Sequence, residues 1–334
     1  MNITDEATFA EQTERHRREL RAHCYRMLGS FDDAEDLVQE TMLRAWRRRD
    51  GFEGRSSLRT WLYTIATNAC LDHLRRRPRQ PAPPVREPGQ PEFVEISWLG
   101  PFPDSLMQAD AMVEPVAAAE DRPDAVAVAT ETIELAFLVA IQQLPPRQRA
   151  VLILREVVDW SAADTAAALD MTVASVNSAM QRARATLREI AERQNRDTMR
   201  ASAVAAASVQ ERELLQRYID AHAAGDPAVI VDMLREEARF WMPPQPLHFL
   251  GKPAIAEFFR EIFVTRPVGE FRLVPTRSNG HPAAANYLRA PGDTQFRAVS
   301  LDVLRFVDGT LDEVVTFDNK LFALFGLPEV WAGD

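Results

Sequence analysis

The stretch RTWLYTIATNACLDHLRRR, Arg59 to Arg77, decides how the first third of the chain folds. Its apolar residues recur at helical spacing, which predicts one long helix with two distinct faces. The apolar face holds Leu62, Ile65, Ala66, Ala69 and Cys70. The opposite face holds Thr64, Thr67, Asn68, Leu71 and Arg75. The helix therefore combines an aromatic start, a polar stripe and an arginine-rich end.

Two interpretations of that polar face are open. It is either the solvated side of a core helix, or a surface that contacts opened DNA. The second interpretation rests on Trp61 beside the loop RDGFEGRSS, and on the arginines that close the helix. Aromatic rings stack on bases, amides bind base edges and guanidinium groups bind phosphates.

The preceding segment predicts a second amphipathic helix. Its inward stripe is Ala34, Leu37, Val38, Thr41, Met42 and Ala45. Asp33, Asp36 and Glu40 line up on another face at i, i+3 and i+7. Such a row is either a solvated surface or a contact for a basic protein, because carboxylates beside a DNA-reading helix repel phosphate.

A third segment, WSAADTAAALDMTVASVNSAMQRARATL from Trp160 to Leu187, has the proportions of a helix-turn-helix. The predicted turn lies at Asp170-Met171, and Thr172 caps the second helix. The buried stripe of that helix is predicted as Val173, Val176, Met180, Ala183 and Leu187. Its outward face carries small and polar residues suited to a major groove. A plain helical hairpin has the same spacing and remains an alternative.

From Val209 onward the chain alternates helical and extended patterns, which predicts an α+β domain. Asp308-Gly309 between two alternating apolar runs is a strong hairpin signal. The expected boundaries are residues 10–80 and 131–195 for two helical domains, 81–130 for an acidic, proline-rich linker, and 207–330 for the α+β domain. Within the linker, the apolar island ISWLGPFPD (Ile96 to Asp104) is expected to dock on a neighbouring domain.

Composition narrows the class of protein. The chain has 334 residues, 46% of them hydrophobic, and a formal net charge of -10. That charge argues against a protein that coats nucleic acid by itself. The sequence shows neither the apolar core of a signal peptide nor an apolar run long enough to span a membrane. We therefore expect a cytoplasmic protein without membrane contact. Cys24 and Cys70 are expected to be buried small hydrophobes, with a redox or metal role as the alternative.

Three motifs in order, DDAEDLVQETMLRAW, GRSSLRTWLYTIATNACLDHLRRR and LPPRQRAVLILREVVDWSAADTAAALDMTVASVNSAMQRARATL, resemble regions two and four of extracytoplasmic-function sigma factors of bacterial RNA polymerase. The resemblance implies two all-α sigma domains, a region 2 bundle and a region 4 helix-turn-helix. It implies core RNA polymerase, through its β′ coiled coil and β subunit, and promoter DNA as partners.

The resemblance also assigns residues. Those implied to bind core polymerase are Asp36, Leu37, Gln39 and Glu40. Those implied to bind the minus-ten element are Phe52, Arg55, Ser56, Trp61, Asn68, Asp72, Arg75 and Arg76. Those implied to bind the minus-thirty-five element are Ala174, Ser175, Asn177, Ser178, Gln181 and Arg182.

The tail resembles a SnoaL-like domain of the NTF2-like fold, a cone-shaped α+β domain found fused to some of these sigma factors. Residues expected to approach a pocket there are Trp241, His248, Phe249, Arg277, Asn286 and Asp302. They match no catalytic motif of the fold family, so we expect no enzyme, cofactor or metal site. A regulatory role through contact with the sigma domains or linker is expected, while a ligand pocket and an active enzyme are the alternatives. The competing interpretation of the whole chain is a one-component helix-turn-helix regulator with a ligand-binding domain.

Overall fold

The computed structural model describes residues 6–52, 54, 56–76, 99–108, 135–193, 209–243, 245 and 247–331. The chain divides into two compact units. The first is built from residues 1–81 and 121–200, and the second from residues 82–120 and 201–334. The described residues of the two helical segments fall in one unit, and the described residues of the linker, 99–108, fall in the unit of the tail.

The first unit begins with an amino-terminal bundle of helices. They are α1 (Glu6–Glu14), α2 (Arg17–Leu28), α3 (Phe31–Arg47) and α4 (Leu58–Arg76), with a 3₁₀ turn at Arg49–Gly51. Gly29 ends α2 in the left-handed conformation, at φ 74°. Ser30 caps α3 by accepting the Asp33 N–H at 3.2 Å. One glycine and one serine therefore set the sharp turn between the two helices.

A second bundle completes this unit. Its helices are α6 (Leu135–Gln142), α7 (Pro146–Leu152), α8 (Ala162–Leu169) and α9 (Val173–Arg193), with a π-helical turn at Ile153–Val157. Ser161 caps α8 through the Asp164 N–H at 3.0 Å. Asp170 takes φ 51° and ends α8, and the Thr172 hydroxyl accepts the Ser175 N–H at 3.1 Å to start α9. The predicted helix-turn-helix is present with its predicted turn and cap.

The second unit is an α+β domain built on one mixed sheet. Its strands are β1 (Leu234–Trp241), β2 (His248–Leu250), β3 (Glu270–Ser278), β4 (His281–Arg289), β5 (Phe296–Val307), β6 (Thr310–Asp318) and β7 (Val330–Trp331). The strand order is β2-β1-β6-β5-β4-β3, and β7 pairs with β5. Strands β1 and β6 run parallel, while the other pairs are antiparallel. Asp308 (φ 51°) and Gly309 (φ 77°) form the tight turn between β5 and β6, as the sequence predicted.

Helices cover one face of that sheet. They are α10 (Val209–Ala224), α11 (Pro227–Met233) and α12 (Lys252–Arg260), which runs into a π-helical turn at Glu261–Thr265. A short α5 (Ser105–Gln108) and a 3₁₀ segment at Asn319–Phe325 complete the unit. Tyr218, Phe240 and Phe259 are at most 3% exposed and lie in the core between sheet and helices. Within the described residues, the structure has no helix long and apolar enough to cross a membrane.

Candidate nucleic-acid and polymerase interfaces

The acidic face of α3 is accessible. Asp36 and Gln39 are exposed, whereas Leu37 and Glu40 are half-buried. The Glu40 carboxylate accepts from Arg44 Nε at 2.7 Å, an i,i+4 pair along the helix. Of the four residues predicted to bind core polymerase, Asp36 and Gln39 therefore present a carboxylate and an amide at the surface.

An aromatic cluster holds the start of α4. The rings of Phe52 and Trp61 lie 5.0 Å apart, and the Phe9 ring lies 6.4 Å from Trp61. Both Phe52 and Trp61 are half-buried. The loop residue Ser56 is exposed beside them, while the predicted Arg55 lies outside the described residues. The sequence did not anticipate that Trp61 packs among other rings at the base of this loop.

The polar stripe of α4 continues from that cluster. Asn68 is exposed, and its Nδ2 donates to the Thr64 carbonyl at 3.0 Å and to the Ala168 carbonyl of α8 at 3.2 Å. Arg75 donates to the Asp72 carboxylate at 2.8 Å, and both Arg75 and Arg76 are exposed. The end of the helix thus carries exposed guanidinium groups, while Asn68 donates to a carbonyl of the second bundle.

Thr67 corrects the predicted outward face of α4. Thr67 is fully buried, and both hydrogen-bonding roles of its hydroxyl are satisfied inside the core. The hydroxyl donates to the Tyr63 carbonyl at 2.7 Å and accepts from His23 Nε2 at 2.8 Å. Burial, followed by the nearby Arg26 charge, lowers the pKa of His23 to about 3. His23 Nδ1 is buried without a hydrogen-bond partner, which fits the neutral tautomer protonated on Nε2. The pairing joins residues far apart in sequence, so helical periodicity gave no signal for it.

The outward face of α9 carries the residues predicted to bind the minus-thirty-five element. All six predicted residues are exposed: Ala174, Ser175, Asn177, Ser178, Gln181 and Arg182. Val176, Met180 and Ala183 face the core as predicted, and Leu187 is half-buried. Val173 was predicted wrongly, since it is 45% exposed in the first turn. Val176, rather than Val173, is thus the first residue of the predicted stripe that is buried in the core.

The two cysteines lie in the interior of the amino-terminal bundle. Cys24 on α2 and Cys70 on α4 are both fully buried and free. Burial, with Cys24 as its neighbour, raises the pKa of the Cys70 thiol. Both residues are therefore small apolar side chains of the core in this state, as expected.

The sheet separates the residues predicted to share a pocket in the tail. Residues directly opposite each other on neighbouring strands share a face of the sheet. The strand register therefore shows on which of the two faces each predicted residue lies. Phe249 pairs with Phe240, which pairs with Val314 of the helix-covered core. By the same pairing Asp302, Asn286 and Arg277 belong to that helix-covered face. Trp241 and His248 pair with each other on the opposite face. The six residues cannot line one pocket, which corrects the prediction.

A surface groove of about 480 Å³ lies elsewhere, between α10 and α11. Its lining contains none of the six predicted residues. It is lined by Glu213, Gln216, Arg217, Asp220, Ala221, Ala224, Asp226 and Val229.

Asp302 forms the polar centre of the helix-covered face. Its two carboxylate oxygens accept from the Tyr218 hydroxyl at 2.9 Å and from the Thr316 hydroxyl at 2.6 Å. Burial and the Asp302 charge raise the pKa of Tyr218, and burial lowers the pKa of His222. The His222 ring packs among aromatic rings, 4.1 Å from Tyr218 and 5.5 Å from Phe259. These hydrogen bonds join helix α10 to strands β5 and β6.

The described part of the apolar island docks on the hairpin between β3 and β4. Phe102 is 2% exposed; its N–H donates to Asn279 Oδ1 at 2.8 Å and its carbonyl accepts the Asn279 N–H at 2.9 Å. Asp104 accepts from the Gly280 N–H at 2.9 Å and from Arg277 Nε at 3.2 Å. Burial raises the pKa of that carboxyl against the opposing effect of these donors. Arg277, predicted as a pocket residue, holds the linker instead; Trp98 lies outside the described residues.

Three family models match the chain in succession. The model for sigma-70 region 2 matches residues 13–80, sigma-70 region 4 matches residues 134–187, and the SnoaL-like domain matches residues 215–314. These matches fall on the amino-terminal bundle, the second bundle and the α+β domain respectively.

The chain is similar to known sigma factors over its whole length or over part of it. The ECF RNA polymerase sigma factor SigG of Mycobacterium tuberculosis is 42% identical over 333 residues, covering 96% of this chain and 84% of the relative. The ECF RNA polymerase sigma factor SigW of Bacillus subtilis is 27% identical over 187 residues, 55% of this chain and 89% of the relative. The crystal structure of the extracytoplasmic-function sigma factor SigJ of M. tuberculosis covers 96% of this chain and 99% of its own, with a TM-score of 0.56 and 21% identity, and shows a shared fold.

Proposed function

Because the chain belongs to the extracytoplasmic-function sigma factors of RNA polymerase, we propose that it docks on core polymerase through α3 and reads two promoter elements through α4 and α9. The observation that supports this proposal is that Asp36 and Gln39 of α3, and all six predicted residues of α9, are exposed on helices of the two sigma regions. A sigma factor performs no bond chemistry of its own, so the activity is recognition and strand opening.

The acidic face of α3 is the proposed contact with core polymerase. Asp36, Leu37, Gln39 and Glu40 would bind the β′ coiled coil, with a further contact to the β subunit. Exposed carboxylates steer a basic partner through long-range attraction and fix its orientation. The overall charge of -10 then presents no obstacle, because core polymerase supplies backbone contacts to DNA.

The start and the outer face of α4 are the proposed reader of the minus-ten element. Phe52, Ser56 and Trp61 would receive extruded bases of the non-template strand, and Arg75 and Arg76 would bind its phosphates. Extruding a base costs a few kcal/mol. Stacking on aromatic rings returns about 1–3 kcal/mol per base, which is sufficient to offset that cost.

The outer face of α9 is the proposed reader of the minus-thirty-five element in the major groove. Ala174 and Ser175 lie in its first turn, where small side chains let a helix approach the base edges closely. Gln181 and Arg182, farther along, would contact bases or phosphates.

The α+β domain is proposed to regulate the sigma regions. Its contact with residues 99–104 supports this role, because that segment belongs to the linker that precedes region 4. Its polar centre at Asp302 is engaged by Tyr218 and Thr316, an arrangement that serves packing between α10 and the sheet.

Charge reversal on α3 tests the proposed core contact. Asp36→Lys should weaken capture of core polymerase by at least about tenfold, a loss of about 1.4 kcal/mol, because it turns attraction for a basic surface into repulsion. Glu11→Lys is the matched control, since Glu11 is a 70% exposed carboxylate on α1. Capture and open-complex formation on a pool of promoter fragments are the measurements.

Two outcomes contradict the proposal. Equal capture by the Asp36 and Glu11 variants would remove α3 as the core-binding face. Tight binding of duplex DNA by the full chain without core would replace the sigma mechanism with that of a one-component regulator.

A further inference from the structure

Two consecutive acidic residues of β6 gather arginines on the sheet face opposite the helices. Arg305 of β5 pairs with Glu313 of β6, and the next pair is Phe306 with Leu311, so Asp312 is an extra residue in β6. Such a β-bulge places two residues of one strand opposite a single residue of its partner. Asp312 and Glu313 therefore both reach Arg305. We define the arginine cluster by these three residues together with Arg235 and Arg239 of β1.

The arginines of the cluster engage all four carboxylate oxygens in it. Arg305 donates through Nε to Glu313 Oε2 at 3.4 Å and through Nη2 to Asp312 Oδ2. Glu313 Oε1 lies 3.3 Å from Arg239 Nη2, and Asp312 Oδ1 lies 3.5 Å from Arg235 Nη1. Three guanidinium groups thus share two carboxylates, so the cluster has one positive charge in excess.

One guanidinium nitrogen of the cluster is buried without an acceptor. Arg305 is 5% exposed, and its Nη1 has no hydrogen-bond partner among the residues that the structure describes. A buried donor that is left unpaired costs free energy, and so does a buried charge without a full countercharge. Folded proteins pair such groups with protein atoms, with ordered water or with a bound ion. The cluster therefore calls for an acceptor from outside this set of residues.

A second buried donor lies on the same face of the sheet. Trp241 of β1 pairs with Val315 of β6, which pairs with Val303 of β5, and each of these lies two residues from a member of the cluster. The indole Nε1 of Trp241 is buried and has no partner within the described part of the chain. Val315 and Val303 are both 2% exposed, so this part of the face is shielded from water. Unpaired N–H donors of Arg305 and Trp241 thus occupy neighbouring rows of one face.

A histidine beside the cluster indicates the sign of the electrostatic potential there. His281 of β4 is 7% exposed, and its pKa is lowered to about 4, first by burial and next by the charge of Arg305. Glu313 raises this pKa by a smaller amount, and Arg277 lowers it further. His281 is therefore uncharged at neutral pH, and positive charge outweighs negative charge at its position. A positive potential in a shielded place favours an anion.

We propose that the arginine cluster and Trp241 form a binding site for a small carboxylate anion, which accepts from Arg305 Nη1 and from Trp241 Nε1. A carboxylate has one negative charge, which matches the excess positive charge of the cluster, and it has two oxygens for the two donors. All residues of the site belong to the second unit. The site goes beyond the proposed contact of the α+β domain with the linker, because it gives this domain a ligand of its own.

Titration of the full chain with sodium acetate tests the site. The indole N–H of Trp241 gives one resonance in a nitrogen–proton NMR spectrum, and Trp241→Phe identifies it. The resonance should shift saturably with acetate, because the donor gains an acceptor. Sodium chloride at equal ionic strength should not produce this shift, since salt screening acts without occupying the site. A resonance that does not respond to acetate, or that responds equally to chloride, overturns the proposal.

Arginine variants test the role of the guanidinium groups by calorimetry. The affinity for acetate should fall at least about tenfold in Arg305→Lys, because an ammonium group keeps the charge but not the fork of donors. Arg239→Gln keeps Arg305 and should also weaken binding, because it removes the excess positive charge. Arg217→Gln is the matched control, since Arg217 pairs with Asp232 elsewhere in the same domain. If Arg305→Lys does not fold, the comparison of the Arg239 and Arg217 variants decides, and equal affinities for these two overturn the proposal.

A tryptophan variant tests the second donor. Trp241→Phe keeps an aromatic ring and removes the N–H, so the affinity for acetate should fall about fivefold. Trp331→Phe is the matched control, because Trp331 Nε1 on β7 is likewise buried with no partner in the described residues. Equal affinities for the two tryptophan variants also overturn the proposal. Neither result bears on the proposed function, whose test is the capture of core polymerase.

Discussion

Single residues in region 2 show how a polar side chain is accommodated in a helical core. His23 is fully buried, contacts the Tyr63 ring at 4.9 Å between ring centres, and bonds the Thr67 hydroxyl. A neutral imidazole fits this place, whereas an imidazolium would be a buried charge next to Arg26. The stability of region 2 is thereby linked to pH.

The sign of that linkage follows from the two pKa values. The pKa of His23 is about 3 in the folded chain, against 6.5 for an unperturbed histidine, so the unfolded chain binds the proton first as pH falls. The free energy of unfolding should drop by about 1.4 kcal/mol per pH unit below pH 6.5 because of this residue. The variant His23→Gln should lack this pH-dependent part of the unfolding free energy. The amount by which the unmodified chain is more stable than the variant should therefore shrink as the pH falls from about 7 to about 5.

Urea unfolding at each pH measures the effect. His73→Gln is the control, because His73 is 32% exposed on helix α4 of the same bundle. A stability difference for the His23 variant that stays constant across this pH range would contradict the assigned neutral state.

At the scale of elements, the helix-turn-helix depends on two short-range devices. Asp170 adopts the left-handed conformation that ends α8, and Thr172 satisfies an N–H of the first turn of α9. The cap holds the end of α9 that carries Ala174 and Ser175. Local chemistry at the turn thus positions the proposed minus-thirty-five surface.

Removal of the cap should loosen that end of the helix. Thr172→Ala is expected to destabilise the second bundle by about 1 kcal/mol, because one N–H loses its acceptor. Binding to the minus-thirty-five element should weaken with it, since the first turn must be ordered to enter the groove. Thermal unfolding and promoter binding by the complex with core measure the two effects. Thr172→Ser keeps the hydroxyl and should restore both; a serine variant as weak as the alanine variant would show that the cap is not the cause.

At the scale of the whole molecule, a segment of the linker packs against the α+β domain that follows much later in the sequence. Phe102 and Asp104 of the linker bind residues 277–280 of the α+β domain, so two segments on either side of region 4 in sequence are joined in one unit. The tail is thereby coupled to the linker that connects the two DNA-reading regions.

Truncation after Arg200 should release this segment. Leu99 and Phe102, at most 4% exposed in the full chain, lose the surface that buries them. We expect faster proteolysis within residues 99–108 and stronger binding of an apolar dye. In the full chain, Asp104→Ala should reproduce part of this effect. The substitution leaves the Gly280 N–H without its acceptor, which costs about 1–3 kcal/mol of stability. Asp293→Ala, at an exposed loop position, is the control. Equal cleavage rates in the full and truncated chains would show that the docking contact does not protect the island.

The sequence by itself determined the family, the main helices, the turn at Asp170, the cap at Thr172, the Asp308-Gly309 hairpin and the exposed face of α9. These features follow local rules, because helical periodicity, capping and turn chemistry involve residues within a few positions of each other. Tertiary structure decided the burial of Thr67, the division of the predicted pocket residues between two faces of the sheet, and the pairing of Asn68 with Ala168. Each of these depends on a partner that is distant in sequence, such as His23 for Thr67 and α8 for Asn68. A helical wheel can indicate that a side chain is polar and outward, but only the folded chain supplies the group that buries or engages it.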